Sequence, residues 1–251
     1  MIDIENAKKV FDEYVSNYDP TVGRIKLKIE HIKRVAENIK NIALEQGLDS
    51  EQIKLAEIIG LLHDIGRFEQ VRLYDTFSDK ISVNHGEYGV KVLFKDGLIN
   101  KFKLSEKDKE IVKLAILNHN RDKIQEGLDD EQLLYAKMIR DADKLDIYYT
   151  MCKYDFKDTF WYPDFDCEEI SDLIMNEFKN DKKVNYADIK NNADVIVIFY
   201  AYVYDLYFET TKNILKEKNY LEKFTEKVCK NFKSEKIHTQ VKEILEISSG
   251  Q

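Results

Sequence analysis

Four of the five histidines in this 251-residue sequence lie in predicted helices, at helix ends or on apolar faces. His31 stands one turn before Val35, and His119 stands one turn after Ala115. Residues one turn apart share a helix face, so both imidazoles are predicted to point into the protein. Solubility does not require such a distribution, which makes these side chains candidates for chemistry.

Two carboxylates occur in comparable positions. Asp143 lies one turn after Ile139 and one turn before Ile147, and a carboxylate between inward aliphatic residues is costly unless a positive group meets it. His63 and Asp64 are adjacent, about 100° apart around a helix, so they converge only beside a helix end or between helices. A bound cation satisfies both requirements. Mixed imidazole and carboxylate ligands favour Mn, Fe, Co, Ni or Zn, as one or two ions, over Mg or Ca alone.

The order of these residues resembles the HD superfamily of metal-dependent phosphohydrolases, named for its His-Asp doublet. The resemblance covers roughly residues 25–149. Each residue alone has an ordinary structural explanation, but six positions in the right order are specific. The series is His31, then His63-Asp64 within Leu61-Leu62-His63-Asp64-Ile65-Gly66-Arg67, then His85 within His85-Gly86-Glu87-Tyr88-Gly89, then His119, then Asp143 within Ala142-Asp143-Lys144-Leu145-Asp146.

The resemblance implies two adjoining metal positions. It implies that the first ion is held by His31, His63, Asp64 and Asp143, and that Asp64 bridges to a second ion held also by His85 and His119. One departure concerns the second ion. Relatives often have two adjacent histidines near the fourth position, where this sequence reads Asn118-His119-Asn120. The second ion is therefore expected to bind more weakly or to keep an open coordination position.

The reaction implied is hydrolysis of a small phosphate ester or anhydride, with a nucleotide as the favoured substrate. A metal ion lowers the pKa of bound water to about 7, and two ions stabilise the attacking and leaving oxygens. Asp64 is one catalytic candidate. Arg67 and Lys144 are two others, because they follow the predicted ligands closely and could neutralise phosphate oxygens. The alternatives are a di-iron oxygenase of the same fold and a non-catalytic metal-binding or ligand-binding regulatory module.

These residues need helices to position them, and apolar residues repeat at three and four through most of the sequence. The sequence predicts an all-α HD-type helical bundle over residues 1–150 with a C-terminal helical extension over 151–251. Five helices are predicted before Tyr149. The first spans 25–46 and stops at Gly47, and the second runs from the Asp49 and Gln52 capping pair to the His-Asp doublet. The third is capped by Ser82 and reaches about Phe94. The fourth runs from the Ser105 and Asp108 capping box to His119, and the fifth from Asp129 or Asp130 to about Tyr148.

The C-terminal region lies outside the resemblance. The sequence predicts a long loop over 150–168, three or four further helices, and one helix over 194–212. An aromatic group in this region is interpreted as core rather than as a nucleobase platform. It comprises Trp161, Tyr200, Tyr202, Tyr204, Tyr207 and Phe208. His238 has no partner in the series and is interpreted as a surface residue. The region is hypothesised to cap the pocket or to form a homo-oligomer surface.

Composition limits the partners. With 39 Lys and Arg against 47 Asp and Glu, the formal charge is −8, which argues against binding a nucleic acid polymer through its phosphates. The longest apolar run, 195–204, is too short to cross a bilayer, and residues 1–14 contain no signal-peptide block. Three cysteines without a closely spaced pair suit reduced thiols. The expectation is a cytoplasmic protein that acts on a small phosphorylated substrate.

Overall fold

The computed structural model describes residues 1–160 and 165–250, and no strand occurs within these ranges. The predicted all-α fold class is confirmed. The chain divides into two compact units, Met1–Asp146 and Ile147–Gln251. The helices that begin in the first unit are α1 (Ile4–Val15), α2 (Gly23–Glu45), α3 (Ser50–Leu62), α4 (Gly66–Tyr74), α5 (His85–Val90), α6 (Glu106–His119) and α7 (Asp130–Lys153).

Capping residues set several of these boundaries as the sequence predicted. Asp49 and Gln52 form a reciprocal capping box at the start of α3, and Ser105 and Asp108 form another at the start of α6. Each box satisfies backbone N–H groups that have no partner within the helix. After α2, Gly47 adopts a φ of 71°, a left-handed conformation that ends the helix at little steric cost.

Other predicted boundaries were wrong. Ser82 does not cap the helix that carries His85; Asn84 does, by accepting a hydrogen bond from the Glu87 N–H. The Ser82 hydroxyl instead donates to the Ser78 carbonyl oxygen, 2.8 Å away. Helices α1 and α4 were not predicted at all. Helix α4 begins two residues after Asp64, where the sequence had predicted only the end of a helix.

The first unit is built around the pairing of α2 with α3. Helix α1 also packs on α3, where Lys8 forms a 2.9 Å ion pair with Glu57. Helix α5 packs against both α4 and α6. Close approach of α2 and α3 depends on Gly60, because a Cβ at this position would lie 2.5 Å from the Ala36 Cα and 2.9 Å from Ile39 Cγ2. The tight pairing of α2 with α3 fixes the end of α3, and the His-Asp doublet follows directly.

Within its described residues, the second unit comprises the end of α7 and six further α-helices around an aromatic and aliphatic core. Tyr200 is fully buried, and its hydroxyl is 2.5 Å from that of Thr225. Phe208 is also buried, whereas Tyr207 is exposed. The six helices are α8 (Phe156–Thr159), α9 (Asp172–Asp181), α10 (Asn192–Ala201), α11 (Glu209–Glu217), α12 (Tyr220–Asn231) and α13 (Glu235–Ser249).

Three predictions for this region were wrong in detail. Among the described residues, five α-helices, α9 to α13, follow residue 168, where three or four had been predicted. The predicted helix over 194–212 is interrupted, because α10 ends at Ala201, a 3-10 turn follows over Tyr202–Asp205, and α11 begins at Glu209. The predicted loop over 150–168 contains the end of α7 and all of α8, while its 161–164 segment, including Trp161, lies outside the described residues. Among the described residues, no helix has both the length and the apolarity needed to cross a membrane.

Substituting Gly60→Ala should lower the free energy of unfolding by about 1–3 kcal/mol, because the added methyl meets backbone atoms of α2 that cannot move aside without separating the helices. Urea denaturation followed by the helical circular dichroism signal measures this. Gly23→Ala is the matched control, since a Cβ there has no neighbour within 4 Å. Equal midpoints for the two variants would contradict the packing argument.

Candidate metal centre

The His63-Asp64 doublet lies at the junction of two helices. Helix α3 ends at Leu62, and α4 begins two residues after Asp64, at Gly66. A Cβ on Gly66 would lie 2.3 Å from the His85 carbonyl oxygen and 2.5 Å from the Gly89 nitrogen. Only glycine permits this approach, so the start of α4 lies directly against α5. The junction therefore brings the doublet next to His85.

Two imidazoles are fixed by backbone carbonyl groups of their own helices. His63 Nδ1 lies 2.8 Å from the Gly60 oxygen, and His119 Nδ1 lies 2.6 Å from the Ile116 oxygen. A carbonyl oxygen only accepts hydrogen bonds, so each Nδ1 carries the proton. In the neutral ring, Nε2 then presents a lone pair. Both Nε2 atoms face the cluster formed with Asp64.

The other two imidazoles are fixed by carboxylates. His31 Nδ1 lies 2.6 Å from Asp146 Oδ2, and His85 Nδ1 lies 2.6 Å from Asp79 Oδ2. Asp146 is held in turn by Arg34, whose guanidinium donates to both of its oxygens at 2.5 and 3.0 Å. Such a partner orients a ligating histidine and increases its basicity. All four Nε2 atoms are thereby directed toward the Asp64 carboxylate.

The first group of side chains joins α2, the α3–α4 junction and α7. His31 Nε2 and His63 Nε2 each lie 3.5 Å from Asp64 Oδ2. Asp143 Oδ1 lies 3.2 Å from His31 Nε2 and 3.8 Å from His63 Nε2. His31, His63 and Asp64 place one ligand atom each within 4.8 Å of one another, close enough to share an ion, and Asp143 lies beside the two histidines.

The second group uses the other oxygen of the same carboxylate. Asp64 Oδ1 lies 3.3 Å from His85 Nε2 and 3.6 Å from His119 Nε2. The two Nε2 atoms are 3.0 Å apart. With both Nδ1 protons engaged elsewhere, two lone pairs face each other at this distance, which is repulsive unless a positive species lies between them.

Two buried atoms in the cluster lack hydrogen-bond partners within the described part of the chain: His63 Nε2 and Asp64 Oδ1. A buried polar atom without a partner is costly and needs an explanation. A divalent transition-metal ion in each group would serve as partner to one of them, and the imidazole and carboxylate donors suit such ions. The residues present therefore fit the metal that the sequence implied.

Electrostatics around the first group favour positive charge. Burial raises the pKa of the Asp64 carboxyl, but the Lys28 ammonium and the His63 imidazole outweigh it and hold that pKa well below its ordinary value. Burial and Lys28 lower the pKa of His31, yet hydrogen bonds to the surrounding carboxylates raise it to about 10 overall. Asp64 is therefore ionised at neutral pH, and a cation is favoured beside it.

His85 shows the opposite shift. Burial and the Arg67 guanidinium lower the pKa of His85 to about 3, although Asp79 and Asp64 act in the other direction. The ring is therefore neutral at physiological pH. A neutral imidazole is the form that binds a metal ion.

The predicted phosphate-neutralising residues occupy different surroundings. Arg67 Nε lies 3.6 Å from Asp64 Oδ1, but a terminal nitrogen of the guanidinium donates to the Gln70 side chain, the Phe77 carbonyl and Asp79. Lys144 is buried in α7 beside Asp143. His238, predicted at the surface, is partly exposed in the second unit, with its Nε2 hydrogen-bonded to the Phe232 carbonyl.

Sequence reasoning missed three polar residues of the site. Asp146 and Lys28 each lie three positions from a predicted ligand on the same helix, so spacing alone could have found them. Asp79 carried no such signal, because it lies in a short 3-10 turn, Asp79–Ile81, between α4 and α5. The two asparagines that flank His119 have different contacts. The Asn118 side chain pairs with Gln125, and that of Asn120 lies near Asp79 and His85.

Comparison with known proteins agrees with this geometry. The family model described as the HD domain matches residues 29–148, which include all six residues of the series. This match confirms the resemblance that the sequence indicated. Neither the curated proteins nor the solved structures gave a match to this chain.

Substituting Asp146→Asn should weaken metal affinity about 10–100-fold, since the carboxylate that orients His31 is lost while the ligands themselves remain. Competition with a chromogenic chelator, followed by elemental analysis, gives the affinity. Asp12→Asn is a matched control, because Asp12 is an exposed residue of α1 that pairs with Lys33. Unchanged affinity in both variants would show that Asp146 does not support the centre.

Proposed function

We propose, from the premise that residues 29–148 form an HD domain, that this protein is a metal-dependent hydrolase of small phosphate esters or anhydrides. The observation that carries the proposal is the shared Asp64 carboxylate. Its two oxygens face two separate groups of imidazole nitrogens. We propose the residues of these two groups as ligands of two ions. A pair of adjoining divalent ions suits hydrolysis at phosphorus.

The proposed ligands are divided unequally. His31, His63, Asp64 and Asp143 would hold the first ion, whereas Asp64, His85 and His119 would hold the second with fewer protein donors. Fewer donors leave coordination positions for water or substrate, which is the usual difference between a catalytic and a structural site. Mn, Fe, Co, Ni and Zn all accept this donor set.

Ions in these positions would supply hydroxide at neutral pH and stabilise charge that develops on the phosphoryl oxygens. The chain's own residues prepare the site for that chemistry. Asp146 and Asp79 hold the His31 and His85 rings in place, so no reorientation is needed when substrate binds. Arg67, at the edge of the cluster, would place positive charge near a bound phosphate.

A nucleotide is the substrate class that we propose to test first. The partly buried Phe77 ring lies beside the site, 5.6 Å from the Arg67 guanidinium carbon and 5.3 Å from the Lys28 ammonium. An aromatic face next to cations that attract phosphate offers a stacking surface for a nucleobase. The acidic overall composition agrees with a small substrate rather than a polymer.

His63→Ala and Asp64→Ala should each abolish metal retention and phosphate release, because each removes a ligand that no neighbouring side chain replaces. His238→Ala should leave both unchanged. The measurements are metal content of the purified proteins and phosphate release from a panel of nucleotides and phosphate esters with Mn, Co, Ni, Fe and Mg.

Equal activity in all three variants would remove the metal centre from the mechanism. Substrate-dependent oxygen uptake by the iron-loaded protein, without phosphate release from any ester, would assign it to the oxygenases instead. Retained metal and bound ligand without product under any metal would indicate a regulatory module.

A further inference from the structure

Lys28 is the basic residue in closest contact with the His-Asp cluster, and it is not part of the six-residue series. Lys28 lies on α2, three residues before His31, so both side chains project from the same face. Its ammonium is 2.7 Å from Asp64 Oδ2. The side chain is 17% exposed, which places the ammonium at the solvent edge of a buried site.

Lys28 occupies the same side of Asp64 as the first group of proposed ligands. Asp64 Oδ2 is the oxygen that faces His31 and His63, each 3.5 Å away. An ion bound there would place a second positive charge beside the ammonium, and like charges at such distances repel strongly in a partly buried site. A protonated lysine cannot itself be a metal ligand. An anion between the ion and the ammonium would remove this conflict.

The ammonium is also free to accept such an anion. It has three N–H donors, and within the described part of the chain Asp64 is the acceptor that it contacts. Arg67 differs, because Gln70, Phe77 and Asp79 already accept from its guanidinium. Moving Arg67 toward substrate would break the contacts that hold the loop before α5. Moving Lys28 breaks one ion pair, which a bound cation would weaken.

We propose that Lys28 is a substrate-binding residue whose ammonium leaves Asp64 and binds a non-bridging phosphoryl oxygen when the centre is loaded. This inference rests on the proposed function and adds a substrate class to it. Asp146 and Asp79 are balanced by Arg34 and Arg67. The imidazoles are neutral, and the charge of two divalent ions exceeds that of the ligand carboxylates Asp64 and Asp143. The loaded site therefore has a net positive charge, to which Lys28 adds. A terminal, dianionic phosphate suits this charge better than a monoanionic diester.

The test uses full-length protein loaded with Mn²⁺ and inorganic phosphate as the probe. Lys28→Met should weaken phosphate binding, measured by calorimetry, about tenfold or more, while Mn²⁺ affinity stays equal or increases. Lys28→Arg keeps the charge and should stay within about threefold of wild type. Lys33→Met is the matched control, because Lys33 lies on the same helix and pairs with Asp12.

Phosphate affinity of Lys28→Met close to wild type, with Mn²⁺ retained, would overturn the proposal and leave Lys28 as a neutraliser of Asp64. Loss of Mn²⁺ from a folded Lys28→Met protein would also overturn it. If Lys28→Met does not fold, Lys28→Gln is measured in the same way and judged by the same outcomes.

Turnover separates this inference from the proposed function. Lys28→Met should lower kcat/KM for an aryl phosphate monoester by about tenfold more than for the corresponding diester. Equal losses for both would contradict the substrate class. A wild-type protein that hydrolyses no ester, yet binds phosphate in a Lys28-dependent manner, would refute the hydrolase while retaining the Lys28 anion site.

Discussion

The first unit is organised around one buried carboxylate, that of Asp64. A buried carboxylate is costly unless positive or hydrogen-bonding groups surround it, and each Asp64 oxygen faces a different set of imidazole nitrogens. One oxygen has no hydrogen-bond partner among the described residues. The helices converge at this point because the α3–α4 junction brings Asp64 to the centre and Gly66 lets α5 approach it.

Precise placement of the imidazoles comes from groups outside the ligand series. Backbone carbonyls hold His63 and His119, whereas carboxylates hold His31 and His85. Each contact engages Nδ1 and directs Nε2 inward. Besides holding the His85 ring, Asp79 accepts hydrogen bonds from Arg67 and from the fully buried Gln70 side chain. The Gln70 side chain also donates a hydrogen bond to the Val83 carbonyl. The loop before α5 is thereby tied to α4, and His85 is positioned through it.

Helix α7 contributes side chains to both compact units. Helix α7 supplies Asp143 and Asp146 from one face within the first unit, and then Tyr148 to the core of the second. The Tyr148 hydroxyl is buried and donates to the Phe199 carbonyl, so this polar atom has a partner within the apolar core.

The sequence by itself determined the helical class, two capping boxes, the six-residue series and the kind of ion that such residues suit. These are local properties: periodicity, capping chemistry and residue type depend on neighbours along the chain. Only the tertiary structure decided that Asn84 rather than Ser82 caps α5, that residues 194–212 break into separate helical segments, and that Asp79 and Lys28 lie against His85 and Asp64. Those outcomes depend on contacts made in the folded protein, such as those of Asn84 with Asn120, Asp79 with Arg67 and Lys28 with Asp64, where packing and hydrogen bonding override local preference.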